Sequence, residues 1–102
     1  MALKTFPFDA AEYLEDDEDI AGYLEEAMKI AQEDGNPSFL TVALGTVARA
    51  RGMSQIAKDA GLSRESLYKA LGSEGNPEFA TILKVLQALG LKLSVRSQGT
   101  AA

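Results

Sequence analysis

Cysteine and histidine are both absent from this 102-residue chain. Without cysteine there is neither a disulfide framework nor a thiolate metal site. Without histidine the commonest catalytic base and the commonest metal ligand are missing too, so the sequence reads as a non-enzyme with no cofactor and no metal. Long apolar runs are also lacking. The longest weakly polar stretch, residues 39–50, is interrupted by Thr41, Gly45, Thr46 and Arg49 and is too short to span a bilayer. The opening MALKTFPFDAAEY carries no apolar run of signal-peptide type. A soluble cytoplasmic protein with no membrane partner is expected. What is present, 46% hydrophobic and 25% charged residues, is ordinary for one globular core, which at this length buries roughly 60 to 70% of the unfolded surface.

Charge is divided unevenly along the chain. The net charge of −5 combines −9 over residues 1–36 with +4 over residues 37–102. A basic region attracts phosphate through counterion release whatever the overall balance, although the acidic part weakens long-range attraction to DNA. The densest acidic run is Glu15, Asp16, Asp17, Glu18 and Asp19, followed by Glu25 and Glu26. Acids suit a helix N-terminus, each contributing about 0.3 to 1 kcal/mol, but five in a row exceed what the dipole requires and repel one another. The run is either a solvated helix start or a docking surface for a basic partner. Solvation at a helix start also explains these carboxylates without acid–base or divalent-ion chemistry.

The pattern along the chain predicts an all-α domain of five to six helices. Asp9 and Glu12 are spaced as a capping box for a short helix holding Tyr13 and Leu14. Ile20, Tyr23, Leu24, Ala27, Met28, Ile30 and Ala31 recur at helical spacing up to Gly35. Asn36 as cap and Pro37 at the first helical position start the next helix, which runs through Phe39, Leu40, Leu44 and Val47 to Arg51 and is broken by Gly52. Ser54 can cap the helix beyond that break. A last helix carries Phe79, Ile82, Leu83, Leu86 and Leu89 and ends at Gly90, its GNP start echoing residues 35–37 as shared capping chemistry.

Residues 53–71, MSQIAKDAGLSRESLYKAL, read as a helix-turn-helix. Ile56, Ala57 and Ala60 make a narrow apolar face, Gly61 permits a left-handed helix end, and Ser63 caps the second helix. Ala57, four residues before the glycine, lets the helices approach closely. Leu67, Ala70 and Leu71 turn inward and leave Arg64, Glu65, Ser66, Tyr68 and Lys69 outward, a set suited to phosphates and base edges. Such helix pairs also occur in domains that never touch nucleic acid.

After Gly90 the period changes from helical to alternating. Leu91, Leu93 and Val95 alternate with Lys92, Ser94 and Arg96, as in a half-buried strand. One strand cannot satisfy its own backbone groups, so a homodimer pairing these strands across a two-fold axis is expected. The chain thus divides into an acidic helical segment (1–36), a helix-turn-helix domain ending in the dimerisation strand (37–96) and a disordered tail (97–102).

The segment GMSQIAKDAGLSRESLYKALGSEGNPEFATILKVLQALGLKLSV, with FDAAEYLEDDEDIAGYLEEA upstream, resembles the HigA-like antitoxins, probable addiction-module antidote proteins with an Xre-type, lambda-repressor-like DNA-binding domain. The distinctive part is LSRESLYKAL followed by the GNP-started helix and the GLKL turn. The resemblance implies a lambda-repressor-like fold and an antitoxin that neutralises a basic RelE/HigB-like ribonuclease toxin and, as a dimer, binds operator DNA to repress its own operon. It carries recognition positions to Ser63, Arg64, Glu65, Ser66, Tyr68 and Lys69, and phosphate anchors to Ser54 and Gln55. It brings no catalytic residue. The acidic residues Glu15, Asp16, Asp17, Glu18, Asp19, Glu25 and Glu26 then become candidates to cover the toxin. A stand-alone Xre-family repressor without a toxin, and an interaction module with a purely structural helix pair, are the alternatives.

Overall fold

In the computed structural model, residues 14–99 are described, and five helices follow in order: α1 Asp17–Asp34, α2 Ser38–Arg51, α3 Met53–Ala60, α4 Arg64–Ala70 and α5 Phe79–Ala88. The short helix expected from Asp9 and Glu12 lies outside the described residues.

Each helix boundary has a local cause. Asp16 caps α1 by accepting from the Asp19 amide at 2.8 Å, while the Asp19 carboxylate accepts from the Asp16 amide in return. Gly35 closes the helix in the left-handed region at φ 66°. Helix α2 starts one residue later than expected: Pro37 holds the cap position and Ser38 is the first helical residue, while the Asn36 side-chain oxygen accepts from the Ser38 amide at 3.0 Å and so supports the start from one residue before the cap. Ser54 does not cap α3. Gly52 holds the cap position, at φ 107° and ψ 105°, and no side chain accepts from the first turn. The helix starts two residues earlier than a serine cap at 54 allows. Nor does Asn76 repeat the role of Asn36: α5 begins only at Phe79, behind Glu78 and with no side-chain cap.

A single apolar cluster draws on every helix, with Ile20, Leu44, Val47, Leu67 and Val85 buried deepest. Helix α1 packs on α2, and α3 lies against α2, α4 and α5. Thr41 and Thr46, which break the apolar run of α2 in sequence, are buried without penalty because their hydroxyls donate to Pro37 and Val42 carbonyls at 3.3 and 3.2 Å. Gly45 between them faces the chain at Leu71, where an added Cβ would stand 2.8 Å from the carbonyl oxygen.

The expected C-terminal strand is not formed. Residues 91–98 follow α5 without regular structure, and among the described residues no strand occurs. Leu91 still donates to the Leu86 carbonyl at 2.9 Å, as part of the turn closing α5. Beyond it the apolar–polar alternation meets no second extended segment, so no ladder can form, and Val95 is left 93% exposed. Of the tail from 97 onward, Ser97 and Gly99 form a local turn in which the hydroxyl accepts from the glycine amide at 3.0 Å; residues 100–102 lie outside the described residues.

Candidate nucleic-acid and partner surfaces

Helix α4 is attached through one side and presents the other. Leu67 is its single buried residue, and Arg64, Glu65, Ser66, Tyr68 and Lys69 are all exposed, as the spacing predicts. The helix is oriented at its start by Ser63, whose Oγ accepts from the Ser66 amide at 2.9 Å and donates to the Ser66 hydroxyl at 2.9 Å. The turn before it is fixed by Gly61 at φ 75° and by the Leu62 amide donating to the Ala57 carbonyl at 2.8 Å. Ala57 is buried in the core cluster on the inward side of α3. Ser63→Ala should therefore lower stability by about 1 kcal/mol, read from the midpoint of a denaturant titration.

Two of the outward side chains are linked. The Arg64 guanidinium lies 5.4 Å from the Tyr68 ring centroid and donates to its hydroxyl at 3.4 Å. The stacking restricts the arginine to one side of α4 without neutralising its charge. On α3, Ser54 and Gln55 are exposed at the start of the helix. Gln55 donates to the Asp59 carboxylate at 2.9 Å, so its amide is aligned along α3 rather than free.

The seven acidic candidates separate into two groups. At the start of α1, Asp16 and Asp19 are engaged in the capping box, the Glu15 amide donates to Asp19 at 3.1 Å, and Asp17 pairs with Arg51 at the end of α2. Glu25 and Glu26 stand one to two turns further on. They line a groove of about 940 Å³ between α1 and residues 91–98, with Leu40, Leu44, Ile82 and Leu86 among its lining residues. Arg51 is a residue that sequence reasoning missed. Its position directly before the Gly52 break was visible, but its carboxylate partner lies 34 residues away.

The geometry defines a small all-helical protein with an exposed polar and cationic surface on α3 and α4 and an acidic one on α1. A family model described as probable addiction module antidote protein matches residues 4–97, and the chain belongs to that family. It is also 56% identical over 89 residues to an uncharacterized protein of Haemophilus influenzae, a match covering 87% of this chain and 88% of that one. No solved structure matches. The family is that of antidotes, the antitoxin members of addiction modules, whose partner is a toxin. No helix among the described residues is long and apolar enough to cross a membrane.

Proposed function

We propose that this chain is a cytoplasmic antitoxin with two binding functions and no catalytic one: it neutralises a basic, RelE/HigB-like ribonuclease toxin, and it binds operator DNA as a homodimer to repress its own operon. The observation that carries the DNA-binding half is the outward side of α4, where a capped helix held through its inward side presents Arg64, Ser66, Tyr68 and Lys69 together. In this reading the α3–α4 pair is an Xre-type helix-turn-helix of lambda-repressor-like arrangement. Helix α4 enters the major groove, with Ser63, Arg64, Glu65, Ser66, Tyr68 and Lys69 toward base edges and phosphates and Ser54 and Gln55 toward the backbone. Arg64→Ala should weaken operator binding by about 1 to 3 kcal/mol and relax preference at one base pair, read by anisotropy titration against single-site operator variants. Unchanged affinity would remove α4 from the interface.

The antitoxin half rests on the family and on the acidic surface of α1. A ribonuclease toxin presents a basic surface to its RNA, and carboxylates on α1 steer its approach. Since Asp16 and Asp19 hold the helix start, the informative variant replaces Glu15, Glu18, Glu25 and Glu26 by glutamine. It should slow association with the toxin encoded beside this gene several-fold at low salt and flatten the salt dependence, with little loss of helix stability; identical kinetics at low salt would refute the steering role. Dimerisation is assigned to apolar contact between copies through Leu91, Leu93 and Val95, of which the last two are exposed. Sedimentation of the full chain tests it: a monomer at all concentrations used for DNA binding removes the dimer.

A further inference from the structure

We propose that Arg51 is a DNA-phosphate contact held in reserve by Asp17, whose carboxylate occupies the guanidinium while no nucleic acid is bound. The inference rests on the DNA-binding reading above and adds a residue to it. Arg51 ends α2, separated only by Gly52 and Met53 from Ser54 and Gln55, the two residues assigned to the DNA backbone. Its backbone therefore stands at the α2–α3 junction, next to those two residues in the chain. There it pairs with Asp17 in the first turn of α1.

Both members of the pair are accessible, at 36% for the Arg51 side chain and 77% for that of Asp17. An ion pair so exposed is weak and exchanges readily. A phosphate offers the same charge and the same pair of oxygens that a guanidinium engages in a carboxylate, so it can replace Asp17 without any rearrangement of the backbone. Among the described residues the helix and its packing are secured without the pair. The start of α1 is already secured by the box between Asp16 and Asp19, and the α1–α2 contact by Ile20 and Leu24 in the core. Asp17 thus acts as an internal stand-in for phosphate, and operator affinity is set partly by how easily it yields.

Binding of the full-length protein to two duplexes, the DNA upstream of its own reading frame and a random duplex of equal length, measured across a salt series, tests this. Arg51→Gln should weaken both duplexes alike and reduce the log–log salt slope by about 1, the signature of one lost phosphate contact. Asp17→Asn should strengthen binding by about two- to fivefold, the span of an exposed ion pair, with the slope retained. Glu18→Gln removes the same charge one residue away and should strengthen binding less. In the Arg51→Gln background, Asp17→Asn should do no more than Glu18→Gln. An unchanged slope in Arg51→Gln, or a gain from Asp17→Asn that persists without the arginine, overturns the proposal while leaving DNA binding itself intact. If the parent protein shows no salt-sensitive binding to either duplex, the DNA-binding reading falls and this inference with it.

Discussion

Leu67→Ala should destabilise the protein by about 2 to 5 kcal/mol, the range for truncating a fully buried leucine that leaves a cavity behind. Leu67 is 0% exposed and is the single buried residue of α4. The residue at the end of the helix, Leu71, is the other large apolar anchor, at 4% exposure. Removing one of two anchors therefore acts on the attachment of the whole helix as well as on the core. Domains of this size have total stabilities of about 5 to 15 kcal/mol, so the melting midpoint should fall on the order of 10 °C or more. Tyr68→Ala, one position along, supplies the contrast: the residue is 45% exposed and its ring contacts Arg64 across the helix surface. That change should stay within about 0.5 kcal/mol of the parent. Equal denaturation midpoints for Leu67→Ala and Tyr68→Ala would mean that α4 is not held through Leu67. Under the DNA-binding reading the two variants also separate by cause, since Leu67→Ala weakens binding by loosening the helix and Tyr68→Ala by removing a contact.

What was legible in the sequence is what short-range chemistry decides. Gly35 and Gly61 end helices in the left-handed region because an adjacent apolar period stops there and glycine alone enters that region freely. Ser63 caps α4, and the inward spacing of Leu67 and Leu71 separates a buried from an exposed side. The acidic run reads correctly as a helix start, but its capping box was hidden because Asp19 stands where the common pattern has glutamate or glutamine. The misses share a different origin. Alternation in residues 91–96 is a local property, whereas a strand is a property of two segments, and the described residues supply only one. Asn36 and Asn76 sit in the same GNP context, yet only the first has a helix amide within reach of its side chain. Seen from one sequence, the two are indistinguishable. The Arg51–Asp17 pair joins residues 34 apart, and Gly45 owes its place to the backbone at Leu71, so neither has a signal within any local window.

The acidic segment also takes on a different character once folded. Sequence charge alone suggests a separate negative region ahead of the helix pair α3–α4, but Ile20 and Leu24 of α1 lie in the same apolar cluster as Leu44, Ile56, Leu67 and Val85. Helix α1 is therefore fixed relative to α3 and α4, and its charges act on them at set distances. This is why Asp17 can have a defined counterpart in Arg51, while Asp16 and Asp19 cap the helix. Proteolysis should accordingly spare α1 under native conditions, since releasing it opens the core.

Gly75→Ala should be more damaging than its single added methyl suggests, at about 3 kcal/mol or more. The turn from Gly72 to Gly75 is closed by the Gly75 amide donating to the Gly72 carbonyl at 2.9 Å, and it folds back beneath the last turn of α4. A Cβ at Gly75 would stand 2.1 Å from the Ala70 carbonyl oxygen, 2.6 Å from its carbon and 2.7 Å from the Lys69 oxygen. Every atom met is backbone, so no side chain can swing aside, and either the turn withdraws or the end of α4 unwinds. Overpacking in well-packed regions costs about 1 to 3 kcal/mol, and this contact lies at the severe end. Gly45→Ala is the instructive comparison. There the Cβ would meet the Leu71 carbonyl oxygen at 2.8 Å, a milder overlap, and replacing a mid-helix glycine by alanine returns about 1 kcal/mol in helix propensity. Gly75 lies outside any helix and gains no such offset. Denaturant titrations should place the parent first, Gly45→Ala second and Gly75→Ala well below both. Under the DNA-binding reading, because the displaced turn adjoins Lys69, Gly75→Ala should also weaken DNA binding beyond what its unfolded fraction explains, whereas Gly45→Ala should not. A Gly75→Ala protein within about 1 kcal/mol of the parent would show that the turn has room the fold does not display.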